Sequence, residues 1–191
     1  MKLSRIISAV VTAFCLAGSA MTASADIADA ATEETVAKRN CIINLAQFKN
    51  LEMTYSRDNF IRLINTGNHS VKKYFTDQFQ GKCEFNFDIG PLVTLGKPFE
   101  YYGRNVDFSK YDDDGDGTVD NVFVFTAGKD EADGGGDNAL WSNSWSLEKA
   151  GISLTLNGKK INRYAMCSEL GRGKDGKFRF AGIGMFCHAF G

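Results

Sequence analysis

Proline and histidine are scarce in this chain, with two of each among 191 residues. Two prolines impose few backbone breaks, and two histidines cannot furnish a three-histidine metal centre. No two cysteines have the spacing Cys-x-x-Cys, which leaves no basis for a zinc ribbon or a thioredoxin-type redox site. Charge of one sign is also lacking: 22 Lys+Arg against 23 Asp+Glu give a net charge of -1. That balance argues against a nucleic-acid partner or an anionic membrane surface. Beyond residue 25 no segment is long and apolar enough for a transmembrane helix. Internal repeats and interdomain linkers are missing as well.

What is present begins with an export signal. Lys2 and Arg5 precede a short apolar run over residues 6–16, and Ala23-Ser24-Ala25 follows it. A basic start, a short hydrophobic stretch and small residues at the cut describe a signal peptide cleaved after Ala25. The run is too short for a membrane anchor, and Phe14 stands where a lipoprotein site at Cys15 would need a small residue. A secreted or periplasmic soluble protein is expected. Cleavage takes 25 of the 191 residues and leaves 166, and with Lys2 and Arg5 gone the net charge moves from -1 to -3. That length suits one domain with a substantial core, to which the phenylalanines beyond residue 25, all but Phe14 of the fifteen in the chain, contribute. Residues 26–38 read as a loose leader and 39–191 as the domain.

The patterning is α+β. Residues 41–48 read as a buried strand. Residues 57–65 have helical spacing at Phe60, Ile61 and Ile64, and Ser70 caps a second helix through Phe79 with Val71, Tyr74, Phe75 and Phe79 on its apolar face and Gly81 ending it. Residues 83–89 alternate strictly, as a half-buried strand does. Residues 122–125 are apolar throughout, the mark of a central strand. Asn157-Gly158 between 154–156 and 160–162 signals a hairpin. Residues 182–191 form a final short helix, below the length at which helices hold without packing, so fraying is expected there. Gly128 and Gly134-Gly135-Gly136, followed by Trp141 and Trp145, form either a substrate-facing rim or a surface turn with tryptophans packed inward.

The strongest chemical motif is Asp112-Asp113-Asp114-Gly115-Asp116-Gly117-Thr118-Val119-Asp120. Aspartates at loop positions 1, 3, 5 and 9, with glycine at 6, match a calcium loop of EF-like type. Thr118 can add its carbonyl. Position 12 is Phe123 rather than glutamate, and a strand follows instead of a second helix, so no EF-hand is implied. A plain solvated turn would leave five close aspartates repelling one another, which favours calcium. Four cysteines follow the cleavage site: Cys41, Cys83, Cys167 and Cys187. In an exported chain they permit two disulfides with three connectivities. The pairs 41–83 and 167–187 are expected, against the alternative of four buried thiols.

The chain closes on Met185-Phe186-Cys187-His188-Ala189-Phe190-Gly191. This reads like the opening of His-Glu-x-x-His, with Ala189 in the place of the general-base glutamate and the sequence stopping where the second histidine would come. Other landmarks precede it in order: Ser70-Val71-Lys72-Lys73-Tyr74-Phe75, Gly90-Pro91-Leu92-Val93, Tyr101-Tyr102, the aspartate loop, Ala127-Gly128 with Glu131-Ala132, Trp141 with Trp145, and Tyr164 with Glu169-Leu170. In that order they resemble the secreted M6-type (immune inhibitor A-like) zinc metallopeptidases, from about Cys41 to Gly191. The resemblance implies a zincin-like twisted mixed sheet with packed helices, calcium-supported, with an active-site helix under the substrate cleft. His188 then matches the first zinc ligand and Ala189 the catalytic glutamate's position, and the remaining ligands would lie beyond Gly191. Ser142 and Asn143 depart from a Pro-His pair frequent in the family. The expectation is the N-terminal part of a peptidase domain, truncated at the zinc motif and inactive as written, whose intact form would act on protein or peptide substrates. The alternative is a non-catalytic exported calcium-binding interaction module. A cysteine peptidase, pairing a cysteine with His188, has no support in the spacing. His69, just before the Ser70 cap, is expected to flank that helix structurally.

Overall fold

The computed structural model describes residues 36–95, 106–137 and 139–190. The signal peptide, nearly all of the leader and the Tyr101-Tyr102 landmark lie outside the described residues. Strand β1 (Ala37–Phe48) runs at the heart of a six-stranded mixed sheet. It pairs in parallel with β2 (Cys83–Leu95) on one side and with β4 (Val122–Lys129) on the other. Strand β4 pairs in parallel with β8 (Arg163–Arg172). Two short strands, β5 (Asn143–Ser146) and β9 (Phe178–Phe180), close on β8 antiparallel. A second sheet of three strands, β3 (Thr118–Val119), β7 (Lys159–Ile161) and β6 (Leu154–Leu156), lies apart from the first.

The two faces of the main sheet follow from side-chain alternation. Cys41, Ile43 and Leu45 of β1 join Phe85 and Phe87 of β2, Phe123 and Phe125 of β4, and Cys167 of β8 in the larger core. Over that face lie α1 (Arg57–Asn65), α2 (Val71–Gln78) and α3 (Ile183–Phe190). Ile42 points the other way, into a smaller core with Phe108, Tyr111, Val119 and Ile161. The small sheet, and the loop that feeds it, thus cover the opposite face.

The elements begin and end where local chemistry dictates. Asn59 accepts the N–H of Ser56 at 3.0 Å at the start of α1, and the Ser70 hydroxyl accepts the N–H of Lys73 at 3.2 Å at the start of α2. Gln80 and Gly81 both have positive φ just past α2, the left-handed turn that ends a helix. Asn157 and Gly158, with φ of 49° and 79°, join β6 to β7. Both positive angles are what a type I′ hairpin needs. The alternation read in 83–89 is observed, with Cys83, Phe85, Phe87 and Ile89 buried.

Two expectations are corrected. Residues 37 and 38 belong to β1 rather than to a loose leader, because their backbone pairs with Cys83 and Glu84. Helix α2 buries only Val71 and Phe75, while Tyr74 and Phe79 remain exposed on its flank. Strand β8, unmarked by alternation, is a central strand flanked by β4 and β5. The final helix packs on the larger core: Phe186 is fully buried, its ring 4.2 Å from that of Phe123, and the ring of Phe190 lies 5.5 Å from that of Phe75. Burial of a side chain the size of Phe186 contributes roughly 1.5–3 kcal/mol.

Candidate metal loop and the His188 helix

The aspartate loop follows a 3-10 turn, Phe108–Tyr111, whose buried Phe108 and Tyr111 anchor it in the smaller core. Its base is closed by Asp120 N–H donating to the Tyr111 carbonyl at 2.8 Å. Gly115 and Gly117 have φ of 75° and 89°, which a residue with a side chain adopts only with strain. Within the loop, Asp114 accepts from Asp116 N–H, and Asp116 accepts from Thr118 N–H. Asp112, Asp114 and Asp116 each bring a carboxylate oxygen to within 4.8 Å of the other two.

Asp113 and Asp120 are not in that group. Asp113 accepts from the backbone and side-chain amides of Asn40 on β1, tying the loop to the main sheet. The Oδ2 of Asp120 accepts from Asp113 N–H at 2.6 Å. Burial pushes the Asp120 carboxyl up, against that N–H, and the neighbouring aspartates add to the rise. Thr118 lies in β3 opposite Lys160.

Asp112 is the buried member of the three. Its side chain is 1% exposed. Its Oδ2 accepts from Gly117 N–H at 3.0 Å and from the Lys159 ammonium at 2.5 Å. The lysine holds the carboxyl below the usual range, with help from backbone N–H groups and against the effect of burial. Its Oδ1 is buried with no hydrogen-bond partner. An orphaned anionic oxygen beside two further carboxylates fits a hard cation such as calcium, which takes oxygen ligands at flexible geometry.

His188 sits exposed on α3 and lines an open depression of about 490 Å³ with Tyr74, Ile183, Gly184 and Cys187. Among the described residues, no group of three metal-ligating side chains includes His188, and His69 is exposed beside the Ser70 cap. A catalytic zinc needs three protein ligands and an open position, and among the described residues His188 has no such set around it. Trp141 and Trp145 are 55% and 38% exposed, beside and on the edge strand β5, rather than packed into the core.

All four cysteines among the described residues are free thiols. The β1–β2 register sets Cys41 opposite Phe87 and Cys83 opposite Ala37. Four residues of strand separate the two thiols by about 13 Å along the sheet, beyond the ~7 Å Cα reach of a disulfide. The expected 41–83 pair is therefore corrected. Cys167 and Cys187 both pack on the larger core, unpaired. Burial drives the Cys41 and Cys167 thiols well above their ordinary value and that of Cys187 to about 11, leaving none of these three a ready nucleophile.

Two carboxylates have a buried role that local sequence does not signal. Glu169, fully buried on β8, accepts N–H groups of Thr54, Tyr55 and Gly128. Asp130, 1% exposed, accepts from Ala132 N–H at 2.8 Å and from both the N–H and the hydroxyl of Ser142. Asp130 thereby shapes the turn leading into β5, and the Ser142 hydroxyl reaches the sulfur of Met185 on α3 at 3.9 Å. Among the described residues neither acid has a basic partner that sequence could have flagged: distant backbone amides satisfy Glu169, and Ala132 with Ser142 satisfies Asp130.

Compared with known proteins, the chain matches no family model, and no curated sequence is similar enough to count as a relative. Among the described residues no helix is long and apolar enough to cross a membrane.

Proposed function

We propose that this chain is an exported, calcium-stabilised domain of the M6-type metallopeptidase kind that does not itself cleave peptides. The observation that carries the metal reading is the Oδ1 of Asp112, buried and unpartnered beside Asp114 and Asp116. Calcium there would neutralise the crowded carboxylates and brace the loop that enters β4. The peptidase kinship is supported by the mixed sheet with antiparallel strands at one edge and by a closing helix, bearing the exposed His188, that packs on the larger core. Ala189 has no ionisable group, so it cannot activate a water as the family's glutamate does.

Thermal melts of the exported protein in calcium and in chelator test the metal reading. A ligand at a hundred times its Kd stabilises by about 2.7 kcal/mol, which for a domain of this size raises the Tm by roughly 5–11 °C. Coincident melts would sink it. Catalysis is tested separately with a casein substrate: no cleavage is expected, from this chain or from Ala189→Glu. Chelator-sensitive cleavage, or stoichiometric zinc in the purified protein, would overturn that part.

A second reading, a calcium-supported interaction module, is favoured by Trp141 and Trp145 standing exposed at edge strand β5. Exposed tryptophans on an open edge are suited to receiving an extended peptide. Tryptophan fluorescence titrated with unstructured peptides distinguishes it, since saturable quenching without cleavage is expected only under this reading.

A further inference from the structure

We infer that Lys159 is a built-in counter-cation of the aspartate loop and sets its calcium affinity by competing for Asp112. The inference rests on the calcium reading above and concerns how that site is regulated. Residues 112–120 carry five aspartates. Among the described residues, Lys159 is the basic side chain that ion-pairs with one of them, its Nζ 2.5 Å from the Oδ2 of Asp112. The adjacent Lys160 is turned away to Glu148.

The placement of Lys159 is architectural. Strand β3, the tail of the aspartate loop, pairs with β7, and Lys160 N–H donates to the Gly117 carbonyl at 2.9 Å. Lys159 is the first residue of β7, directly after the Asn157-Gly158 turn. The hairpin register therefore delivers its ammonium to the carboxylate of the loop's first position. Asp112 is nearly sealed from solvent and Lys159 is 25% exposed at the side chain, so the lysine has a path outward and the aspartate has none.

A divalent ion on Asp112, Asp114 and Asp116 and an ammonium on the same Asp112 carboxylate repel at contact distance, in surroundings that screen them poorly. Calcium binding and the Lys159 contact are therefore mutually exclusive or strongly antagonistic. The single charge compensates one oxygen of one carboxylate and leaves Oδ1 of Asp112 orphaned. The lysine thus holds the loop together without calcium and lowers its affinity for the ion. Calcium entry in turn frees Lys159 and loosens the β6–β7 hairpin's hold on the loop.

The test is calcium titration of the exported protein by calorimetry, for wild type, Lys159→Met and Lys159→Gln, with circular dichroism to confirm that each folds. Both variants are expected to bind calcium at least about tenfold more tightly than wild type. Their melting temperatures in chelator are expected to fall below wild type while the calcium-dependent rise grows. Lys159→Arg keeps the charge and is expected to leave Kd near the wild-type value. Equal Kd values for wild type, Met and Gln would overturn the role of Lys159 and leave the calcium site standing. Absence of binding in all of them, together with indifference to Asp112→Asn, would overturn both.

Discussion

Replacing Glu169 by glutamine keeps the side chain's length and volume and removes one acceptor. In the structure Thr54 N–H lies 2.8 Å from Oε1 and 3.0 Å from Oε2, Tyr55 N–H lies 3.0 Å from Oε2, and Gly128 N–H lies 3.2 Å from Oε1. Whichever way the new amide turns, its NH2 meets an N–H: that of Gly128 if Oε1 is replaced, that of Tyr55 if Oε2 is. One backbone donor is orphaned, and the amide's own hydrogens are buried without an acceptor, since Glu169 has no exposed surface. A buried unsatisfied donor costs about 1–3 kcal/mol, so the pair of faults amounts to about 2–6 kcal/mol. Total stability for a domain of this kind is about 5–15 kcal/mol. Glu169→Gln should therefore fold and lose a large share of its margin, while Glu169→Ala, which orphans all three donors, should not accumulate in folded form. Urea unfolding followed by circular dichroism measures the first loss. Hydrogen exchange at Thr54 and Tyr55, which should quicken more than exchange in β1, locates it. A Glu169→Gln protein within about 0.5 kcal/mol of wild type would refute the claim that these three amides depend on the carboxylate.

Gly135→Ala should destabilise by about 1–3 kcal/mol, because a Cβ there would lie 2.6 Å from the Asp130 carbonyl oxygen. Gly182→Ala, which meets nothing within 4 Å, is the matched control and should melt close to wild type. Iodoacetamide at pH 8 should leave the native mature protein largely unlabelled, since a thiol with a pKa of about 11 at Cys187 is thiolate in only about one molecule in a thousand. Denatured without reductant, the same protein should take up label at Cys41, Cys83, Cys167 and Cys187, and mass spectrometry showing a bridge between any two would contradict the free thiols. Because the folded thiol of Cys187 titrates near 11 against an ordinary 9.0, the folded state retains its proton longer than the unfolded chain. Stability should therefore decline as pH rises from about 9 through about 11, and a flat profile there, or a smaller decline in wild type than in Cys187→Ala, would contradict it.

The sequence by itself determined the elements whose chemistry is local. Helix α1 is found over the residues whose apolar spacing predicts it, Ser70 caps α2, Asn157-Gly158 turns the hairpin, and β2 alternates as read. The aspartate loop was equally legible, since its spacing of carboxylates and glycines is written within nine residues. Sequence left the sheet order open, along with the register that separates Cys41 from Cys83 and the roles of Glu169 and Asp130. It could not tell that Asp120 turns to Asp113 while Lys159, some forty residues on, arrives at Asp112. Those outcomes depend on which distant backbone amides and side chains meet. Local spacing encodes a helix face or a turn because neighbours along the chain are neighbours in space. A buried carboxylate held by amides from two distant segments, or a lysine delivered by strand register, has no such local trace, and only the tertiary structure decides it.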